Sequence, residues 1–555
     1  MNKKVCSFPI LFALLALLIG TCAVVFPASA QAAPTSTGSI TVSGTVASSY
    51  DAYQIFSANV VDGDSDAKTF TDLVWASDAV RDAALPVLHS AGMPNSQTTA
   101  QKAAEWLNTD SHLTGALSAQ LARSLQSSGA VSVALNAGTA AKLPSGYWLI
   151  VADDDAIAQG EVGTAPIMAL VGGGAVTVKP KAATPKVSKH VLEDSTAAWQ
   201  KAADATVADD LYWRLSATVP AGLTAYDTYA VRFVDTMGAG LDPSKVAASM
   251  RVYVAAGADG GFDAVSADKD GRVGTEPAKG WTDITAQCAT KIAADGTFTV
   301  RTGDLIAALG GADAFTAGAR VVAVYNAPLN SACNHGIAKG NPNEAYLCYP
   351  RSPFADQSGD AGFTRTPSDD ACAYTWDLAL TKRSSDGDKP LAGAVLSIAD
   401  DRGRTLAADG TWDAEGKATV TTGEDGRVTV SGVDSGKLEV RELKAPKGYT
   451  AFEGTRSVTV KAEGLDVDQV AAAKPKLTIT AESPLRADSA DGSTGSLEAS
   501  LINTPTGTPP SITTGGFMPS TGDMAMYAAA AAAVAGAALI VVALLVKRGG
   551  GSHKE

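Results

Sequence analysis

The sequence predicts a mostly β, multi-domain, exported chain: tandem β-sandwich domains, the first with helical insertions, set between an N-terminal signal peptide and a C-terminal transmembrane helix. Three observations carry that expectation. Most of the chain reads as short alternating apolar and polar runs punctuated by Gly and Asp. Its 555 residues include 54 Gly, with only 6% aromatic and 18% charged residues, which suits turn-rich sandwiches and not a coiled coil or a disordered chain. Both ends carry apolar runs beside basic residues. A net charge of -14 argues against nucleic acid as a partner, because phosphate neutralisation needs clustered Lys and Arg. Five scattered His and no nucleotide loop or nucleophile elbow lead us to expect no cofactor, no metal site and no turnover enzyme.

Residues 1–30 have the order of a signal peptide: Lys3 and Lys4, an apolar run from Phe8 to Phe26, then Ala28-Ser29-Ala30, with cleavage expected before Gln31. The first domain, 31–182, opens on the strand Gly38 to Val46. Helix-like stretches follow around Ala79–Ala91, Thr98–Leu107 and Leu113–Ser127, and strands return at Tyr147–Ala152 and Ala175–Val178. A Pro-bearing joint leads to a middle sandwich, 183–374, and a second joint to a C-terminal sandwich, 375–505. A Gly/Pro/Ser/Thr-rich linker, 506–517, precedes Met518-Pro519-Ser520-Thr521-Gly522. Residues 525–546 carry no charge and are long enough to span a bilayer, and 547–555 form a basic tail expected on the cytoplasmic side. Removal of the signal leaves Cys288, Cys333, Cys348 and Cys372. An even number in an oxidising compartment leads us to expect Cys348–Cys372 across one turn-rich connection and Cys288–Cys333 by elimination, with free buried thiols as the alternative.

Strand parity points to chemistry in the last sandwich. Lys382 shares a face with Trp376, Leu378 and Leu380; Glu442 with Leu438 and Val440; Asn503 with Leu497, Ala499 and Leu501. Three polar groups aimed inward are costly unless paired. Burial favours a neutral amine and a protonated acid, and such an amine can attack the Asn side-chain carbonyl, releasing ammonia and leaving an isopeptide bond. Parity alone favours the plainer alternatives, a buried Lys–Glu pair with an Asn hydrogen bond or strand ends that reach solvent. In the middle sandwich Lys189 lies between Val187 and Val191 on one face, Asp235 follows Val231 and Phe233, and Asn343 shares a face with Ala345, Leu347 and Tyr349.

The surrounding motifs resemble those of sortase-assembled Gram-positive shaft pilins. "LEVRELKAPKGY" resembles their E-box, and "LALTKRSSDGDKPLAGAVLSI" the opening strand of the collagen-adhesin B-type, Ig-like sandwich. The resemblance implies Lys382 as nucleophile, Glu442 as promoting acid and Asn503 as acceptor. "VRFVDTMGAGL" and "GNPNEAYLCY" imply Lys189, Asp235 and Asn343 in the same roles, with Asn341 and Asn326 as alternatives to Asn343. Met518–Gly522 resembles the LPxTG sorting signal, which implies cleavage between Thr521 and Gly522. In "GAVTVKPKAATPK", Lys181 falls where the family's polymerising lysine sits, with Lys179 and Lys186 as competitors. The resemblance implies the major subunit of a covalent, wall-anchored pilus that takes part in adhesion, secreted and then briefly held in the membrane. Its implied partners are a pilin-class and a housekeeping sortase, copies of itself, minor pilins, peptidoglycan and a host surface or matrix ligand. A monomeric wall-anchored adhesin, or a tip or base pilin, is the alternative.

Overall fold

The computed structural model describes residues 36–507 apart from 45, 63–67, 110, 181 and 182. The signal peptide, Lys181, the 518–522 motif, the 525–546 apolar run and the basic tail therefore lie outside the described residues. No helix among the described residues is long and apolar enough to cross a membrane. The described residues are mostly β, in six sheets that pack as three successive pairs.

In the first pair, a three-stranded sheet (Ala141–Pro144, Thr37–Val42, Ala175–Val178) faces a five-stranded sheet built around the long Ser49–Asp62 strand. Ile40, Val42, Tyr50, Trp148 and Ile150 fill the space between them. The other face of the larger sheet is covered by helices Asp78–Ser90, Ala100–Leu107 and Gly115–Ser128, whose Val80, Leu88, Leu121 and Leu125 pack on Ile55, Phe56 and Leu149. Each helix begins where a side-chain oxygen of Ser77, Thr99 or Thr114 accepts an amide of the first turn. The third helix stops at Gly129, whose φ of 70° turns the chain out of the helix.

The middle pair is the largest. One sheet orders its strands as 198–200, Lys186–Glu193, Tyr212–Val219, Ala319–Asn326, Arg251–Ala256, 282–283. The facing sheet runs 202–204, Asp369–Tyr374, Asn341–Pro350, Arg232–Met237, Thr297–Arg301, 289–292, with Phe363–Arg365 on the flank of Asn341–Pro350. Trp213, Phe233, Phe298, Phe315 and Tyr325 make a continuous aromatic-rich core between them. After Tyr374 the chain crosses into the third pair, where Trp376–Ser384 is a central strand. It lies parallel to the last strand, Ser496–Pro505, and antiparallel to Arg427–Val433. The facing sheet is built on Val395–Ala399, Gly436–Lys444 and Thr455–Glu463. Leu378, Leu380, Ile398, Val440, Val458 and Leu501 form the core of this pair.

The four cysteines correct one expectation, since all are free thiols. Cys372 stands opposite Pro342 in the ladder, whereas Cys348 lies six residues further along that same neighbouring strand, opposite Arg365. At roughly 3.3 Å per residue that is about 20 Å, against the 7 Å or less that a disulfide spans between Cα atoms. Cys288 donates to the Ile284 carbonyl at 3.3 Å beside an edge strand, and Cys333 lies in a loop with its thiol 3.6 Å from His335 Nε2. Alternation along a strand could be read without coordinates; the register between strands, which decides cysteine pairing, could not.

Candidate functional site

In the third pair the strand Trp376–Ser384 alternates so that Trp376, Leu378, Leu380 and Lys382 all point into the core, and Lys382 is 0% exposed. The parallel neighbour places Leu501 opposite Lys382 and Asn503 opposite Ser384, so Asn503 reaches the lysine diagonally from the same face. Glu442 comes across the sandwich from Gly436–Lys444, behind Leu438 and Val440. The Lys382 ammonium donates to Asn503 Oδ1 in a short contact and lies 3.3 Å from Glu442 Oε1. That same Oε1 accepts from Asn503 Nδ2 at 2.8 Å, and Oε2 is held by the Phe452 amide at 3.1 Å. Burial pulls the Lys382 pKa down to about 8, with Glu442 opposing the shift. A single carboxylate oxygen thus touches both the amine nitrogen and the amide nitrogen, with the amine against the amide carbonyl.

The middle pair holds a second constellation, built differently. Lys189 points inward from Lys186–Glu193, and Asp235 and Asn343 point inward from Arg232–Met237 and Asn341–Pro350 of the opposite sheet; all three are 0% exposed. Lys189 Nζ donates to Asp235 Oδ2 in a short contact and to Tyr325 Oη at 2.7 Å. Tyr325 Oη donates to Asp235 Oδ2 at 2.7 Å and accepts from Asn343 Nδ2 at 2.9 Å. The second carboxylate oxygen of Asp235 and the Asn343 carbonyl have no hydrogen-bond partner. Burial lowers the Lys189 pKa and raises those of Asp235 and Tyr325. The Lys189 ammonium also lies 5.4 Å from the Trp213 ring centre and 5.3 Å from that of Tyr325, and Phe298 packs edge-on against Tyr325 with ring centres 4.8 Å apart.

The two alternative asparagines are committed elsewhere. Asn341 staples the loop before its strand by bonding to both Asn334 backbone groups, and Asn326 accepts from the Leu211 amide while donating to Asp210. Sequence reasoning missed Tyr325. In "ARVVAVYN" every residue but Arg320 is buried, so a tyrosine there reads as core filling, although its parity with Val321 and Ala323 puts it on the same inner face as Lys189. Of the joint lysines, Lys179 and Lys186 are exposed at either side of the undescribed Lys181.

Residues 377–474, within the C-terminal sandwich, match the family described as SpaA: Prealbumin-like fold domain. The chain is also similar to the trypsin-resistant surface T6 protein of Streptococcus pyogenes serotype M6, with 31% identity over 143 residues, 24% of each chain. It therefore spans about a quarter of the length of that curated relative. Among solved structures, the T6 backbone pilin of serotype M6 Streptococcus pyogenes aligns with 86% of this chain and 100% of its own at 16% identity and a TM-score of 0.45. The full-length major pilin SpaD of Corynebacterium diphtheriae aligns with 85% and 97% at 15% identity and a TM-score of 0.40. BcpA, the major pilin subunit of Bacillus cereus, aligns with 85% and 99% at 12% identity and a TM-score of 0.38.

Proposed function

We propose that this chain is the shaft subunit of a covalently assembled, wall-anchored pilus, in which the middle and C-terminal sandwiches each seal themselves with a Lys–Asn isopeptide bond and the first, whose opening strand has no Lys, does not. The observation that carries the reading is the Lys382–Glu442–Asn503 cluster: a buried amine against an amide carbonyl, with one carboxylate oxygen on both nitrogens. In that arrangement the neutral Lys382 amine attacks Asn503 Cγ, the new C–N bond forms as Cγ–Nδ2 breaks, and ammonia leaves. Glu442 holds the proton in transit. Lys189 and Asn343 form the corresponding bond in the middle sandwich. Each event happens once per molecule, so the chain is a substrate of its own fold and of sortases rather than a turnover enzyme. A pilin-class sortase cleaves after Thr521 and joins its carbonyl to Lys181 of the next copy, and the last copy is passed to peptidoglycan.

The intact mass of residues 31–517 checks the internal bonds, which remove two ammonia equivalents. Lys382→Ala should restore one of them, and a wild-type chain at full theoretical mass would overturn the reading. Assembly is checked by blotting wall extracts for this chain. A high-mass ladder that collapses to monomer in Lys181→Ala is expected. A ladder that survives the substitution moves the junction to Lys179 or Lys186, and no ladder in the wild type supports a monomeric adhesin.

A further inference from the structure

The middle site differs from the C-terminal one in a way that the shared Lys, acid and Asn do not predict. In the C-terminal site Glu442 Oε1 touches both nitrogens between which a proton has to move, at 3.3 Å from Lys382 Nζ and 2.8 Å from Asn503 Nδ2. In the middle site the acid is an aspartate, one methylene shorter, and its hydrogen bonds reach Lys189 and Tyr325 but not Asn343. The group in contact with both nitrogens there is the Tyr325 hydroxyl, 2.7 Å from Lys189 Nζ and 2.9 Å from Asn343 Nδ2.

We propose that Tyr325 is a catalytic residue of the middle cross-link, relaying the proton from the attacking amine to the departing amide nitrogen. This rests on the reading of Lys189 and Asn343 as isopeptide partners. The balance is simple. The Lys189 ammonium first passes one proton to Asp235, leaving a neutral amine. That amine bonds to Asn343 Cγ, and its nitrogen must then lose one proton while Nδ2 gains one to leave as ammonia. Tyr325 Oη takes the first as it gives up its own, so it ends as the phenol it began as. Asp235 Oδ2, bonded to both Nζ and Oη, holds the two in line. Burial raises the Tyr325 pKa well above 10, so a standing phenolate is disfavoured and the exchange is concerted. The packing fixes the hydroxyl in place: Tyr325 is 0% exposed, with Phe298 against its ring and Trp213 opposite it in the ladder.

The test uses the chain from residue 31 to 521, with the C-terminal site as an internal standard. Digestion and tandem mass spectrometry read the Lys189–Asn343 and Lys382–Asn503 cross-linked peptides separately, against time after cell-free synthesis. Wild type should contain both. Tyr325→Phe should complete the C-terminal bond on schedule and form the middle bond slower by about 100-fold or more, the usual size of a lost proton-transfer group. Adding Asp235→Glu to Tyr325→Phe should recover much of the rate, because the longer carboxylate can then touch both nitrogens as Glu442 does. Middle cross-linking at the wild-type rate in Tyr325→Phe would overturn the assignment. A wild-type chain that lacks only the middle cross-link would instead overturn the underlying reading of that site. If Tyr325→Phe fails to fold, replacing Tyr325 with 3,5-difluorotyrosine keeps the ring but lowers the phenol pKa. The rate–pH profile of the middle bond should then move while that of the C-terminal bond does not, and an unmoved profile would overturn the relay.

Discussion

An amine sealed in a sandwich core beside a carboxyl and an amide cannot be stabilised by water, so its protonation is set by burial and by whichever neighbours reach it. For Lys382 the balance places the pKa at about 8, below its ordinary 10.5. The fraction of attacking, neutral amine therefore grows as pH rises toward 8 and changes little above it. We expect the C-terminal cross-link to form roughly tenfold faster for each pH unit between pH 6 and 7.5 and to level off near pH 8, read by mass after cell-free synthesis at fixed pH. Blocking the bond leaves a different signature. In Asn503→Ala the lysine stays buried and free, and because its folded pKa is depressed, the unfolded chain binds more protons between about pH 8 and 10.5. Stability of this variant should then rise with pH across that window, whereas the cross-linked wild type, having no amine to titrate there, should not follow it. These residues were legible in the sequence because two-residue alternation puts Lys382, Glu442 and Asn503 on faces otherwise made of Leu, Val, Ala and Trp, and because the motifs around them resemble those of the pilin family. Tyr325 was not, because an aromatic among apolar residues gives no sign of what its hydroxyl touches.

The three helices of the first domain show how far local signals reach. The sequence places them only approximately, around Ala79–Ala91, Thr98–Leu107 and Leu113–Ser127, and the structure adds what fixes each start: the side chains of Ser77, Thr99 and Thr114 cap the three helices. Thr114→Ala, which removes the hydrogen bond to the Leu117 amide at 3.1 Å, should cost about 1 kcal/mol in a denaturant titration of the first domain. What local signals could not supply is the partner of each strand. The parallel pairing of Trp376–Ser384 with Ser496–Pro505, and of Thr37–Val42 with Ala175–Val178, joins segments more than a hundred residues apart. Nothing in either segment specifies the other. The cysteine expectation failed for the same reason.

At the scale of the whole molecule, the middle and C-terminal sandwiches meet along a polar seam. Asp204 accepts from Trp376 Nε1 at 2.6 Å and from the Ser435 amide at 3.0 Å, and Asp209 accepts from Arg404 at 2.7 Å and Arg402 at 3.0 Å. Gly432, at φ 67°, lets the strands close up, since a Cβ there would stand 2.3 Å from Val207 Cγ2. Behind the arginines lie acids that are short of cations. Burial, with Asp204 beside it, raises Glu193 from its ordinary 4.5 to about 8, and Asp194 and Asp434 are raised for the same two reasons. Arg402 faces Asp194 at 3.7 Å, and Ser195 donates to Glu193. A carboxyl whose folded pKa is raised contributes stability that is complete below its unfolded pKa and lost as pH climbs through the folded one. The seam should therefore loosen between about pH 4.5 and 8, seen as a falling melting temperature, and Glu193→Gln should flatten that slope.

The parallel first and last strands of the C-terminal sandwich have a mechanical consequence. Tension entering at Trp376 and leaving past Asn503 would run along one strand, cross at Lys382 and exit, so the chain between the two ends of that link, a sequence separation of 121, would carry no load. At roughly 3.3–3.6 Å per extended residue, some 400 Å of potential lengthening would be withheld from each copy. A filament of such copies would behave as a nearly inextensible cord, and single-molecule stretching of Lys382→Ala should release that hidden length as one added step.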